Sequence, residues 1–255
     1  MAKSDERKAK AQELKVQQQA AERRERNIRI IGTLSVVAII AGIFAVVLTQ
    51  RDSAAPSNDG TIPALVNQDD GSYTYNPDTT ATDTMELWED FQCPGCGAFE
   101  STFGAKVTQM ADENLVKLIV HPAAFLDRNF AGQYSTKATS AWGCALEIDE
   151  AKAWKFRAAV FANQNPTEGE GWTNDQFLQL AQASGFTTDD LPTLTQCYQD
   201  VAHAKWAAVS TQTFYDSGIK STPTIWLNGE AITDDAALSN GPDGLYNWVK
   251  DKIGK

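Results

Sequence analysis

Cysteine and histidine are scarce in this chain: four and two residues of 255. A scaffold held together by disulfides carries cysteine at a far higher density, and this length is enough to bury a core without one, so that class is excluded. Glycine (17) and proline (9) are too few for a collagen-like chain. With 42% hydrophobic and 22% charged residues, the composition is globular and not that of a disordered chain. Net positive charge is lacking as well. A formal charge of -11 argues against nucleic-acid binding by the chain as a whole, because phosphate recognition needs a basic face.

The charge is unevenly spread. Residues 1–29 hold nine basic against five acidic side chains, a net of +4, which leaves -15 for the remainder. Ile30–Thr49, IIGTLSVVAIIAGIFAVVLT, follows without a single charge, about twenty residues or roughly 30 Å as a helix. This is long enough to span a bilayer. A cleaved signal peptide has the same basic-then-apolar order. Here, however, the run is longer than a usual signal core, and the nearest small-residue site, Ser53-Ala54-Ala55, is followed by Pro56. A buried core helix is a further alternative, although no polar stripe breaks the run. Arg23, Arg24, Arg26 and Arg29 flank one end and only Arg51 the other, so the positive-inside rule places the N-terminus in the cytoplasm.

The expected organisation is a solvated, basic cytoplasmic tail (1–29), a transmembrane helix (30–49), a linker (50–60) and an extracytoplasmic domain (61–255). No internal repeat interrupts that domain. Thr84–Phe91 has β character and stops abruptly at Cys93-Pro94-Gly95-Cys96. Beyond it Phe99, Phe103, Val107 and Met110 recur at helical spacing, so the cysteines stand where a strand meets a helix. Leu115–Val120 is a second strand, and residues 136–217 read almost wholly as helix. Within them Thr173 to Gln176 forms a capping box, Gly185 ends the segment it opens, and one long helix is expected from about Asp189. Thr224–Leu227, the Asn228-Gly229 turn and Ala231–Thr233 make a hairpin, and Leu245–Ile253 a closing helix. The order is that of an α/β sheet interrupted by a helical insertion.

The chemistry concentrates in the CxxC. Cysteines at i and i+3 on a first helical turn can close a disulfide, and the N-terminal one faces the helix dipole and unpaired N–H groups, which favour its thiolate. Pro94 suits the first helical position. A CxxC is also half of a zinc site, but Cys144 and Cys197 stand alone and His121 and His203 are scattered, so no metal is expected. A redox pair is the favoured reading, with an inert structural disulfide as the alternative. His121, ending a strand, and His203, on a helix, read as ordinary histidines. The aromatic residues read mainly as core, with two or three left to line a groove.

WEDFQCPGCGAFE, followed far downstream by GIKSTPTIWLNGE, resembles the thioredoxin superfamily. The helical insertion between them is similar to that of the DsbA-like branch, in its membrane-anchored actinobacterial, MdbA-like type. The resemblance covers about residues 75–253. It implies an α/β thioredoxin fold with a helical insertion and a thiol-disulfide oxidoreductase that forms disulfides in exported proteins without a cofactor. Reduced exported clients and a membrane-bound reoxidant are its implied partners. Carried over by residue, Cys93 is the attacking, exposed cysteine and Cys96 its buried partner. Thr222-Pro223 matches the cis-proline loop that lies against the redox pair and offers backbone groups to an extended client.

Two positions depart from the family pattern. Strong oxidants of this branch resemble Cys-Pro-His-Cys, whereas Gly95 here has no side chain to hold the thiolate. The buried acid six residues before the first cysteine is replaced by Leu87, leaving Glu86, Glu89 or Asp90 for proton transfer. A reductase or isomerase of the same fold, and a non-redox chaperone module, therefore stay open as alternatives. Cys144 and Cys197, on separate helices of the insertion in an oxidising compartment, form either a structural bridge or two buried thiols. A bridge closing a loop of roughly 54 residues would stabilise the domain by about 4 kcal/mol.

Overall fold

A computed structural model describes residues 59–255, except 166, 168 and 234. The expected basic tail, membrane span and nearly all of the linker lie outside the described residues. Among those described, no helix is long and apolar enough to cross a membrane.

Alternating side chains build the sheet. β1 is Tyr73–Tyr75, β2 Thr84–Glu89, β3 Lys117–Pro122, β4 Thr224–Leu227 and β5 Glu230–Ala231, arranged β1-β3-β2-β4-β5. β2 and β3 are parallel; the remaining pairings are antiparallel. The register aligns Met85 with Leu118 and Leu227, and Leu87 with Val120 and Ile225, so one face is a continuous apolar surface of buried side chains. Trp88 and His121 lie opposite each other on the other face, and there Trp88 meets Phe214. The Asn228-Gly229 turn has positive φ at both residues (52° and 81°), the primed geometry that matches strand twist.

Helices cover both ends of the chain order. α1 (Pro94–Phe99) passes through a π-helical segment, Glu100–Gly104, into α2 (Ala105–Asp112). After β3 a 3-10 turn at Phe125–Asn129 enters the insertion: α3 (Tyr134–Leu146), α4 (Glu150–Ala162), α5 (Asn174–Ala183), α6 (Leu191–Gln199) and α7 (Ala204–Asp216). α8 (Asp235–Ser239) and α9 (Gly241–Lys252) close the chain. α3 is the hub of the insertion. Eleven of its thirteen residues are buried, and Ala138, Ala141, Gly143 and Ala145 let α4, α6 and α7 approach closely. The capping box forms as expected: Thr173 Oγ1 accepts from Gln176 N, and Gln176 Oε1 accepts from Thr173 N.

A buried ion cluster ties the insertion to the sheet. Arg157 of α4, 1% exposed, donates through Nε and Nη2 to both carboxylate oxygens of Glu89 at the end of β2, and through Nη1 to Glu100 of the π-helical segment at 2.9 Å. Its guanidinium also lies 4.6 Å from the Trp154 ring centroid. Three charges satisfied by one another are tolerated here, whereas removing one would leave the others buried and unpaired.

Two expectations require correction. The long helix expected from Asp189 is two helices, broken at Val201, whose φ is +50°. No glycine or proline marks the break; tertiary contacts hold it, with Thr61 N donating to Ala202 O at 2.9 Å and His203 N to Ser140 Oγ at 3.0 Å. His203 accordingly precedes α7 instead of lying within a helix. β1 was not expected: three residues are too short for a period-2 signal, and pairing with β3 alone defines it.

Candidate active site

β2 ends at Glu89, and the turn that follows delivers Cys93 as the N-cap of α1 with Pro94 at the first helical position. Cys93 N donates to Asp90 O at 2.9 Å, while Cys93 O accepts from Cys96 N (3.0 Å) and Gly97 N (3.2 Å). Both cysteines are free thiols. Cys96 is 2% exposed, in keeping with a buried partner. Cys93 is only 7% exposed, which corrects the expectation of an exposed sulfur. The reason is the loop from the far end of the domain: the Thr222-Pro223 bond is cis, and Cys93 Sγ donates to Thr222 O at 3.2 Å. Thr222 and Pro223 thus meet the cysteine pair across 129 residues of chain.

The two sulfurs are electrostatically unlike. A hydrogen bond from Cys96 is the largest influence on Cys93, and with Thr222 and the N–H groups of Cys96 and Gly95 it outweighs burial, bringing the Cys93 pKa down to about 7. Burial, with Cys93 beside it, pushes Cys96 well above the ordinary thiol value. The Thr222 hydroxyl is buried and makes no hydrogen bond among the described residues, which leaves it free to favour either thiolate once one forms. The arrangement offers one acidic thiol and one that holds its proton.

The three acids open for proton transfer have different surroundings. Glu86 is paired with His121 at 3.1 Å, and that histidine is stacked on Trp88 at 3.7 Å between centroids. Glu89 belongs to Arg157. Asp90 is 0% exposed, forms no ion pair among the described residues, and donates its backbone N–H to Cys96 Sγ at 3.5 Å. Burial first, and the neighbouring Asp127 second, push its carboxyl well above the usual range.

Sequence reasoning missed Gln164, Asp127 and Ser135. Gln164, just beyond α4, donates from Nε2 to Phe91 O (2.6 Å) and Cys93 O (3.0 Å). No motif surrounds these residues, and only their long-range contacts identify them.

Cys144 of α3 and Cys197 of α6 are bonded to each other. His203 lies beside them, and its Nδ1 is 3.1 Å from Thr61 Oγ1. Among the described residues this trio is the one cluster of three side chains with metal-ligand spacing, but its sulfurs are committed to the disulfide. Most of the described aromatic residues are buried; Phe103, Trp154, Trp226 and Trp248 are among the half-buried ones, and Tyr215 is exposed.

A family model described as Thioredoxin matches residues 76–250. No curated protein matches the chain in sequence. Among solved structures, MdbA of Actinomyces oris, described as a thiol-disulfide oxidoreductase, is 21% identical over 76% of this chain and 91% of its own, with a TM-score of 0.64. Oxidised DsbA of Mycobacterium tuberculosis is 23% identical, with coverages of 80% and 94% and a TM-score of 0.55. Oxidised BdbD of Bacillus subtilis is 22% identical, with coverages of 80% and 98% and a TM-score of 0.56. At these identities the likeness establishes a shared fold.

Proposed function

The chain belongs to the thioredoxin family, and from that premise we propose that it is a thiol-disulfide oxidoreductase that introduces disulfides into exported proteins through Cys93 and Cys96. The observation that carries this reading is the asymmetric pair itself. An acidified sulfur at a helix start lies 3.2 Å from the carbonyl of Thr222, and a buried thiol of raised pKa stands behind it. In the oxidising direction a client thiolate attacks Cys93 Sγ of the Cys93-Cys96 disulfide. The client–Cys93 bond forms, the Cys93–Cys96 bond breaks, and Cys96 leaves with the electron pair. A second client thiolate then attacks the client sulfur and releases Cys93 as the better leaving group. The client departs oxidised and the enzyme reduced.

Backbone groups of Thr222 beside Pro223 suit an extended client, with Cys93 at its reacting sulfur. The uncharged run at 30–49 and the basic tail before it support a single-pass anchor with the catalytic domain outside the cytoplasm, where reduced exported proteins are clients and a membrane-bound oxidant restores the disulfide. Protease added to intact cells should then remove the domain and spare the tail; a soluble mature protein would rule the anchor out.

Trapping tests the catalytic roles. Cys96→Ala should accumulate mixed disulfides with clients, because the resolving thiol is gone, and Cys93→Ala should trap almost none. Equal trapping by both variants would overturn the assignment. Gly95 favours a second reading, reductase or isomerase, because no side chain between the cysteines helps hold the thiolate. Acid-quenched alkylation in cells separates the two: a mostly oxidised pair means an oxidase, a mostly reduced pair the alternative.

A further inference from the structure

The second cysteine pair has a neighbour that the disulfide does not account for. His203, between α6 and α7, brings a ring nitrogen to within 4.8 Å of the Cys144 and Cys197 sulfurs. The residue is 2% exposed. Gly143 makes room for it: a Cβ there would stand only 2.8 Å from His203 Cδ2, so the imidazole lies against the α3 backbone next to Cys144. Ser140 Oγ of α3 holds its backbone N–H at 3.0 Å. The two ring nitrogens differ. Thr61 Oγ1 is 3.1 Å from Nδ1 and donates its own proton to Ala202 O at 3.4 Å, so it accepts from Nδ1–H and the Nε2 lone pair is left free. Nε2 is buried with no hydrogen-bond partner among the described residues. Glu147 Oε2, at 3.9 Å, is beyond hydrogen-bond distance. Packing explains a buried ring but not an idle nitrogen, since an apolar side chain would fill the place without the polar cost.

Reduction of the disulfide gives that nitrogen company. A dithiol reductant breaks the Cys144–Cys197 bond, passes two electrons and two protons to the sulfurs, and is itself left as a disulfide. Two thiols then stand beside the free imidazole nitrogen, on Cα atoms 5.9 Å apart. Two thiolates and an imidazole are donors for zinc, and a carboxylate suits the fourth tetrahedral position. Glu147 stands three residues after Cys144 at the end of α3, and its side chain is 49% exposed, so it can turn inward to the ion. Cys197 is half-buried, which leaves an approach from solvent. The contact of Thr61 with Nδ1 is the kind that orients a metal-bound imidazole.

We propose that Cys144, Cys197 and His203, with Glu147, form a zinc site when the Cys144–Cys197 bond is reduced. Zinc displaces the two thiol protons and holds α3 to α6 in place of the covalent bond. Oxidation reverses the exchange. A disulfide oxidant takes up two electrons and two protons, the Cys144–Cys197 bond forms again, and zinc leaves. The ion also keeps two loose thiols from pairing with Cys93. The site does not depend on the direction in which Cys93 and Cys96 exchange disulfides.

The test uses the full chain carrying Cys93→Ser and Cys96→Ser, so that the second pair holds its only thiols. A phosphine reduces that pair, and cobalt(II) is titrated in as the probe. One equivalent should bring up a sulfur-to-cobalt charge-transfer band and the intense visible bands of a tetrahedral ion, and zinc should bleach both. The unreduced chain should give neither. His203→Ala should weaken cobalt binding by about a hundredfold and Glu147→Gln by about tenfold. Cys144→Ala with Cys197→Ala should abolish it. Two measurements need no change at the site and stand if a variant does not fold. Zinc should raise the melting temperature of the reduced chain and leave that of the oxidised chain where it was. X-ray absorption of the zinc-loaded chain should find two sulfurs at about 2.3 Å and an imidazole nitrogen at about 2.0 Å. No charge-transfer band after reduction, zinc bound without nitrogen, or undiminished affinity in His203→Ala would overturn the site. Equal stabilisation of the oxidised chain by zinc would do the same.

Discussion

The carboxamide of Gln164 fills the space that Gly97 leaves empty: a Cβ at position 97 would stand 2.2 Å from Gln164 Oε1. From that position Nε2 reaches the carbonyls of Phe91 and Cys93 and fixes the turn that presents the redox pair. The insertion therefore touches the catalytic loop directly.

Gly97→Ala should push Gln164 off both carbonyls. The side chain is flexible, so the cost is the two hydrogen bonds and not a backbone clash, about 1–2 kcal/mol of stability. Gln164→Ala should cost a similar amount, and the double variant should cost scarcely more than either alone, since both changes remove the same contact. Denaturant midpoints of the three reduced proteins check this; additive losses would mean that Gln164 and Gly97 act independently.

Cys93 makes the stability of the reduced form pH-dependent. Its folded pKa of about 7 lies below the ordinary thiol value of about 9, so ionisation stabilises the reduced fold. The contribution is complete above about pH 9 and is lost as the pH falls through about 7. The stability difference between reduced wild type and Cys93→Ser should therefore grow from pH 7 to 9. Thr222→Val removes the hydroxyl that favours either thiolate; losing about 1 kcal/mol would raise the Cys93 pKa by about 0.7 and slow alkylation at pH 7 by about threefold. An unchanged alkylation profile would show that the hydroxyl does not serve the thiolate.

The second cysteine pair staples α3 to α6, whose sulfurs are 53 residues apart in the chain. Replacing Cys144 and Cys197 together with Ala should lower stability by about 4 kcal/mol on the chain-entropy account. Turnover per folded molecule should hold. Loss of turnover at wild-type stability would instead assign the pair an electron-transfer role.

Local chemistry made parts of this molecule readable from sequence. Cys93-Pro94-Gly95-Cys96 follows an alternating run and precedes a helical one, Thr173 and Gln176 satisfy each other three residues apart, and Asn228-Gly229 permits only a tight turn. Each signal sits within a few residues. The features that escaped are long-range: Ser135 meets Asp90 across 45 residues and Gln164 meets Phe91 across 73. Neither leaves a period or a spacing. The helix break at Val201 escaped for the opposite local reason, because a β-branched residue is among the least expected at positive φ. Burial of Cys93 escaped because its cover, Thr222, comes from the far end of the domain.

Gly95 is the position from which the direction of exchange can be tuned. A Cβ there would lie 3.6 Å from Cys93 Sγ, 3.8 Å from Thr222 O and 3.2 Å from Pro223 Cδ, so a side chain fits once Pro223 yields by a few tenths of an ångström. Gly95→His places an imidazole beside the thiolate, with an unperturbed pKa of about 6.5. Whether cationic or neutral with an N–H turned to sulfur, it favours the ionised, reduced form and should move the Cys93 pKa below about 7. Stabilising the reduced form raises the reduction potential, by about 30 mV for each tenfold change in equilibrium constant. Gly95→Ala controls for crowding, since it presses on Pro223 without charge or hydrogen bond. In glutathione-equilibrium titrations across pH 6–8, Gly95→His should be the stronger oxidant, with the largest gain between about pH 6.5 and 7, where thiolate and imidazolium coexist, and Gly95→Ala should match or fall below wild type. Equal potentials for His and Ala at position 95 would show that packing against Pro223, and not thiolate stabilisation, governs this site.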